Sequence, residues 1–322
     1  MTASTLDAMV HTLRHEAEGI LGVELRPAGA GLAFPPFEAG AHIDLHLPNG
    51  LVRSYSLCNA PGERHRYVLA VLDERNGRGG SRCVHRQLRV GDRLAISPPR
   101  NHFALHADAP RSVLVAGGIG ITPIFCMLQH LVAQGRPVEL VYCARSAREA
   151  AFGEAIAALG PHARVAWHFD DEQGGPPDLT RLLAGRGSDS HYYGCGPAPM
   201  LEAFLQACEW HRYPHAHIER FTALQPAAAA TGQGFEVLCR RSNRSVRVAA
   251  GQSVLDALLE AGLDPAYSCK GGVCGACETP VLDFDGALEH NDGILSREEQ
   301  QSGKTMLICV SRCTGTRLVL DL

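Results

Sequence analysis

Cys269, Cys274 and Cys277 follow one another as C-x4-C-x2-C, and Cys309 stands thirty-two residues beyond the last of them. Thiolates from one tight loop plus one distant thiolate make the spacing that holds a 2Fe–2S cluster. Structural zinc more often uses two C-x2-C-like pairs, so the pattern favours the cluster over zinc. Gly271, Gly272 and Gly275 would let the loop bend and bring backbone N–H groups toward the sulfides. Cys309 lies in an apolar run that reads as a buried strand beneath the loop. Cys313 lies just past that run, which makes Cys309 the better ligand. The remaining cysteines, scattered through apolar stretches, read as small buried hydrophobes.

A second constellation suits a nucleotide. An apolar strand at 113–116 runs into Gly117-Gly118-Ile119-Gly120-Ile121-Thr122-Pro123 and then a helix. Glycines let the backbone approach a pyrophosphate, and the helix N-terminus offers unpaired N–H groups to its charge. Proline costs little in the first turn. Gly194-Cys195-Gly196-Pro197 repeats the strand–turn–helix logic, so the two turns would frame one crevice. Cys195 would face the nicotinamide there or simply pack. The strand at 138–143 ends without an acid, and Arg145 and Arg148 could take a 2′-phosphate, which keeps NADPH open beside NADH.

A third set suits a flavin: Arg53-Ser54-Tyr55-Ser56, followed by Asn76-Gly77-Arg78-Gly79-Gly80-Ser81. Arg53 and the turn Gly79-Gly80-Ser81 would bind a phosphate, Tyr55 would face the ring, and Ser56 would donate near N5.

These sets need three kinds of scaffold. Short segments at 9–16, 22–27, 42–47, 53–56, 67–72 and 93–96, punctuated by Gly and Pro, suggest a small antiparallel barrel. Strands at 113–116, 138–143, 165–169 and 191–195 alternate with helices at 122–133, 147–159 and 197–210, which means a doubly wound parallel sheet. A hairpin at 235–248, a helix at 254–261 capped by Ser253 and ended by Gly262, the cysteine loop and a last strand at 317–321 fit an α+β β-grasp ferredoxin domain. The expected division is a flavin barrel at 1–105, a nucleotide domain at 106–225, a linker at 226–234 and a 2Fe–2S ferredoxin domain at 235–322.

A chain of 322 residues suits several domains, and a net charge of −4 gives no broad basic surface for nucleic acid. Only Lys270 and Lys304 are lysines among thirty basic residues. The start has no charged segment followed by an apolar core, and no window is long and apolar enough for a membrane. Many free thiols favour a reducing cytoplasm.

In combination and in order, Arg53-Ser-Tyr55-Ser56, Asn76 to Ser81, Pro99-Arg-Asn101, Leu114 to Pro123, Cys195-Gly-Pro197, the cluster cysteines and Cys309-Val-Ser-Arg312 resemble the phthalate dioxygenase reductase family, which includes vanillate O-demethylase reductases. The resemblance covers essentially the whole chain. It implies FMN rather than FAD, then NADH, then the cluster, with electrons passed to a Rieske-type terminal oxygenase. It implies that Arg53, Tyr55, Ser56, Gly79, Gly80 and Ser81 bind FMN. Leu69, Ala70 and Val71 would line the ring, and Glu219 and Phe221 would close over it. Ser56 and Cys195 are the expected catalytic residues.

Other readings remain: a reductase serving a haem monooxygenase, or a redox sensor, although no signalling segment is appended. Residues 278–299 set Glu278, Asp283, Asp285, Glu289, Asp292, Glu298 and Glu299 against Arg297 alone, which reads as a solvated face or an acidic docking surface. His211, His215 and His217 bracket Pro214 at an expected helix-to-strand turn, but flavin and cluster already account for the chemistry, so no metal is expected there.

Overall fold

The computed structural model describes residues 5–29, 31–222 and 233–322, so most of the expected linker lies outside the described residues. The chain divides into two compact units, Ser4–Phe221 and Thr222–Leu322.

The first unit begins with β1 (Leu6–Ala17), β2 (Ile20–Pro27), β3 (His42–His46), β4 (Val52–Ser56), β5 (Tyr67–Leu72), α1 (Gly80–Gln87) and β6 (Arg93–Ile96). The strands form one antiparallel sheet in the order β4-β3-β6-β1-β2-β5. Just past β4, the Cys58 N–H donates to Val68 O on β5 (2.8 Å), which links the two ends of the sheet and curls it into a barrel. Buried Asp44 on β3 accepts from Arg100 (2.6 Å) and from Ser54 on β4 (2.6 Å), pinning the register of that edge. The expected turn at Gly79-Gly80-Ser81 is in fact the start of α1.

The unit continues with β7 (Ser112–Gly117), α2 (Ile121–Ala133), β8 (Val138–Ala144), α3 (Gly153–Ala157), β9 (Arg164–Phe169), α4 (Asp170–Gln173), α5 (Leu179–Leu182), β10 (His191–Cys195), α6 (Ala198–Trp210) and β11 (Ala216–Glu219). Its strands are all parallel, in the order β11-β10-β7-β8-β9. β7 and β8 are buried throughout, which explains their continuous apolar runs. The order reverses between β7 and β10, and that switch point opens a crevice at the strands' carboxyl ends. One apolar core runs from the barrel (Leu45, Leu69) into the parallel sheet (Leu114, Tyr142).

The helix expected over 147–159 is broken. Phe152 adopts φ 62° and only α3 is α-helical. Its buried ring stacks on Phe125 of α2 at a centroid distance of 4.6 Å, and that burial offsets the cost of a left-handed backbone.

The second unit contains β12 (Phe235–Cys239), β13 (Arg244–Val248), α7 (Val254–Glu260), β14 (Glu278–Phe284), β15 (Leu288–Glu289), α8 (Arg297–Ser302), β16 (Thr305–Leu307), β17 (Arg312–Cys313) and β18 (Arg317–Leu320). The main sheet runs β13-β12-β18-β14-β16, with β12 and β18 parallel and the other pairs antiparallel. With α7 packed by Val254, Leu255 and Leu258 into its core, this is the expected β-grasp. Ser253 caps α7 by accepting from the Asp256 N–H (3.0 Å), and Gly262 ends it at φ 73°. Cys309 is not in a strand: β16 stops at Leu307 and the cysteine sits in the turn beyond, where its sulfur is freed from the alternating geometry of a strand.

At the switch point, a Cβ on Gly120 would stand 2.2 Å from the Cys195 carbonyl oxygen. Both atoms belong to backbone, so neither can step aside. Gly120→Ala is therefore expected to cost about 2–3 kcal/mol in urea unfolding and to raise the KM for NADH by about tenfold or more. An unchanged KM would mean that the crevice is not built on this contact.

Candidate functional site

The crevice is built from backbone. Gly117 ends β7 and Gly120 begins α2, while Cys195-Gly196-Pro197 leads from β10 into α6. A Cβ on Gly117 would meet Met200 Sδ at 2.3 Å, and one on Gly196 would meet Gly117 Cα at 3.2 Å. The two turns therefore lie against each other as only glycines allow. Thr122 is buried and donates to Ile119 O (3.0 Å), fixing the first turn of α2, with Gly118 at φ 51° before it and Pro123 inside it. The α2 N-terminus carries no side-chain cap; the Ile121 N–H turns back onto Gly118 O, and the positive end of the helix dipole would favour an anion. Arg145 is exposed beyond the tip of β8.

The barrel supplies the facing wall. Arg53 and Tyr55 lie on one face of β4, and Ser54 and Ser56 on the other. The Arg53 side chain crosses the start of α1: a Cβ on Gly80 would fall 2.6 Å from Arg53 Cγ and 2.8 Å from its Nε. Gly79, at φ 87°, caps α1 with no side chain. A guanidinium beside an uncapped helix N-terminus fits a phosphate monoester. Gly77 belongs to the turn before it, donating to Glu74 O (3.1 Å). Burial pushes the Tyr55 phenol up to about 12 despite Arg53, so it stays a neutral donor with an aromatic face.

The barrel constrains two of the expected contacts. The Ser54 hydroxyl is committed to Asp44 and serves the barrel. Leu69, Ala70 and Val71 are all buried on β5, and strand alternation turns the Ala70 side chain away from its neighbours', so Ala70 would meet a ring through its backbone.

Barrel and sheet meet at Ser56, Glu219 and Cys195. Cys195 and Glu219 are side by side as register partners on β10 and β11. Ser56, at the end of β4, hydrogen-bonds the Glu219 carboxyl, whose Oε2 is shielded from solvent without a partner. Burial raises the Glu219 carboxyl to about 8, so it is largely protonated at neutral pH. Burial, and then Glu219, push the Cys195 thiol well above its ordinary range. Phe221, two residues past β11, exposes 42% of its surface.

In the second unit Cys274, Cys277 and Cys309 are buried and Cys269 is partly exposed. The loop turns at Lys270 (φ 51°), Gly272 (φ 69°) and Gly275 (φ 69°), so Lys270 rather than Gly271 takes the first left-handed position. Lys270 is held there by Asp256 (2.9 Å) and lies over the Tyr267 ring at 5.0 Å. The Gly271 N–H donates to Cys269 Sγ (3.3 Å) and the Cys269 N–H to Cys274 Sγ (3.4 Å). Cys269 pairs with Cys274 and Cys277 with Cys309, and two such thiol pairs with N–H donors fit an iron–sulfur cluster. Gly272 packs against Asp292, which is buried and accepts from the N–H groups of Ile294 (3.1 Å) and Leu295 (2.8 Å).

The acidic stretch divides between bracing and exposed residues. Asp292 braces the loop, Asp285 accepts from Thr316 (2.6 Å) and the Arg317 N–H (2.7 Å), and Glu299 closes a capping box on α8. Asp292 alone is buried; Glu278, Asp283, Asp285, Glu289, Glu298 and Glu299 are exposed, as a solvated face requires, although some of them also brace the fold.

The histidines also rearrange. His211 points elsewhere, bonding Thr180 O (2.8 Å). His217 instead meets His191 and His106, whose ligand nitrogens all lie within 4.8 Å of one another. Neither His106 nor His191 has a neighbouring histidine in the sequence to signal this; only the pairing of β10 with β11 reveals it.

A barrel with a phosphate cradle, a nucleotide sheet and a cysteine-lined β-grasp define an electron-transfer oxidoreductase. Family profiles agree: an "Oxidoreductase NAD-binding domain" matches residues 114–206 and a "2Fe-2S iron-sulfur cluster binding domain" matches residues 237–314. The chain is 46% identical to the phenoxybenzoate dioxygenase subunit beta of Ectopseudomonas oleovorans over 100% of its own length and 98% of the relative's. Its structure resembles phthalate dioxygenase reductase, described as modular for electron transfer from pyridine nucleotides to [2Fe–2S], at 34% identity and TM-score 0.72, covering 99% and 98% of the two chains. It also resembles an intact type IV self-sufficient cytochrome P450 monooxygenase at 39% identity and TM-score 0.87, covering 99% of this chain but 41% of that one. This chain belongs to the phthalate dioxygenase reductase family. Among the described residues no helix is long and apolar enough to cross a membrane.

If Glu219 acts as a neutral hydrogen-bonding group, Glu219→Gln keeps NADH-dependent flavin reduction within about threefold, while Glu219→Ala, which strands Ser56, loses about tenfold. Stopped-flow reduction distinguishes them; equal damage in both variants would mean that an ionised carboxylate is required.

Proposed function

We propose that this chain is the reductase component of a two-component oxygenase, taking electrons from NADH through FMN and its 2Fe–2S cluster to a Rieske-type terminal oxygenase that hydroxylates an aromatic ring or O-demethylates it. The observation that carries this reading is the meeting of Ser56, from the barrel, with Glu219 and Cys195, from the switch point. Flavin and nicotinamide sites thereby share one wall.

FMN, when bound, would supply the conversion of a two-electron hydride into the single electrons that a 2Fe–2S cluster takes. The protein's own groups bind and orient. Arg53 and the α1 N-terminus hold the flavin phosphate, and Gly79 and Gly80 give it access. The Gly117–Pro123 turn and the Cys195–Pro197 turn hold the nucleotide. Ser56 offers a hydroxyl whose direction Glu219 sets, and the buried Cys195 thiol closes the floor against water. Cys269, Cys274, Cys277 and Cys309 hold the cluster.

NADH is favoured over NADPH. The Asp171 N–H donates to Arg145 O (3.0 Å), so the acids Asp170 and Asp171 at the end of β9 stand beside the β8 tip. A ribose hydroxyl finds acceptors there, whereas a 2′-phosphate meets like charge that Arg145 and Arg148 would have to offset. Division into a barrel at 1–105, a nucleotide domain at 106–225 and a ferredoxin at 235–322 goes with this reading. So does a reducing cytoplasm, where the buried thiols would persist.

A second reading, a haem oxygenase as electron acceptor, is favoured by the likeness to the self-sufficient P450 chain, whose TM-score of 0.87 exceeds the 0.72 for phthalate dioxygenase reductase. NADH-reduced protein mixed with a Rieske oxygenase component or with a P450 discriminates: rapid reduction of the P450 alone would replace the Rieske partner.

Anaerobic titration with NADH is expected to bleach the flavin and produce the rhombic paramagnetic signal of a reduced 2Fe–2S cluster. In Cys274→Ser the flavin still bleaches, while the signal and acceptor reduction disappear. Survival of both in that variant would remove the cluster from the path.

A further inference from the structure

We infer that His106, His191 and His217 form a binding site for a divalent transition metal of the Zn2+ class, separate from the flavin, nucleotide and cluster sites. His191 and His217 lie on adjacent parallel strands, and Tyr193 pairs with His217 in the register. Alternation turns His191, Tyr193 and His217 to one face of the sheet. His106 comes from the segment between β6 and β7. Its backbone is fixed over that face: its N–H donates to Tyr193 Oη (2.9 Å), and its carbonyl accepts from Arg136 (3.2 Å).

His191 Nδ1 and His217 Nε2 are 3.1 Å apart. Two nitrogens on a tetrahedral zinc, each at about 2.0–2.1 Å, would be separated by about 3.3 Å. The His106 ring lies 4.7 Å from that of His191 and 4.6 Å from that of His217, centroid to centroid, so rotation about its side-chain bonds closes the set. His191 and His217 share a hydrogen bond in which one ring N–H donates to the other ring's lone pair, so a metal would take the place of that proton once the donor ring moves it to its other nitrogen. His215 stacks flat on His191 at 4.3 Å and supports that ring rather than adding a ligand. Imidazole ligands suit Zn2+, Cu2+ and Ni2+, and three of them leave one position for water. With no carboxylate in the set and Arg136 close by, affinity is moderate. The metal would clip the segment carrying His106 to β10 and β11.

Competing thiols are accounted for in the holoprotein. The cluster occupies four cysteines, and Cys58, Cys83, Cys126, Cys143, Cys195, Cys208, Cys239 and Cys313 are buried. Holoprotein dialysed against Zn2+ and assayed by mass spectrometry should retain one equivalent of zinc. His106→Ala and His217→Ala should lose it, and His211→Ala should keep it. Because His106 is exposed, its variant should fold, which flavin content and far-ultraviolet circular dichroism check. Zinc should also raise the melting temperature of the parent protein but not of His106→Ala. Anomalous scattering at the zinc edge should place the metal among the three rings. No retained zinc in the parent, a full equivalent in His106→Ala, or density elsewhere would each overturn the site.

Discussion

The approach of Gly120 to the Cys195 carbonyl is the contact on which the first unit depends. It sets how near the α2 N-terminus comes to the end of β10, and so the width of the crevice. It also sets where Cys195 and, one strand over, Glu219 face the barrel. Because backbone meets backbone, no rotamer can relax the contact, and the geometry is held rigidly where reacting groups must align. Ser56 reaches Glu219 only because one core runs through barrel and sheet, which fixes β4 relative to β11.

The second unit solves a different problem, holding four sulfurs without a regular element beneath them. Left-handed positions at Lys270, Gly272 and Gly275 coil the loop, and the Asp256–Lys270 pair ties it back to α7. Asp292 braces its far side. N–H donors pointing at Cys269 and Cys274 are the groups by which a protein tunes a cluster.

Sequence periodicity and spacing located most of this. An apolar run marked β7, strand–helix alternation marked β8 and β10, short segments punctuated by Gly and Pro marked the barrel strands, and glycines with the cysteine spacing marked the three sites. What escaped depends on tertiary choice. Glycines at 79 and 80 look like a turn, yet the apolar face of Cys83 and Val84 makes the next residues a helix packed on the barrel. Phe152 breaks a helical pattern because Phe125 awaits its ring. Ser54 and Ser56 read alike, and only the tertiary partner separates them: Asp44, across the strand pair, for Ser54, and Glu219, from the parallel sheet, for Ser56. The histidine set was invisible because its members come from three segments brought together by strand register.

Both ionisable members of the shared wall are kept in their neutral forms by burial, Glu219 as a carboxylic acid and Cys195 as a thiol. Fixed charge in a low-dielectric wall would bias the ground state strongly, since interactions there are screened far less than in water. A neutral wall leaves the charge that hydride transfer moves to be balanced by the two cofactors themselves. It also offers hydrogen bonds without a base strong enough to divert a proton at neutral pH. On the proposed reading, orientation and dryness, rather than acid–base strength, are what these residues would contribute. That is consistent with a site whose chemistry belongs to its cofactors and whose protein part must hold two flat rings against one another.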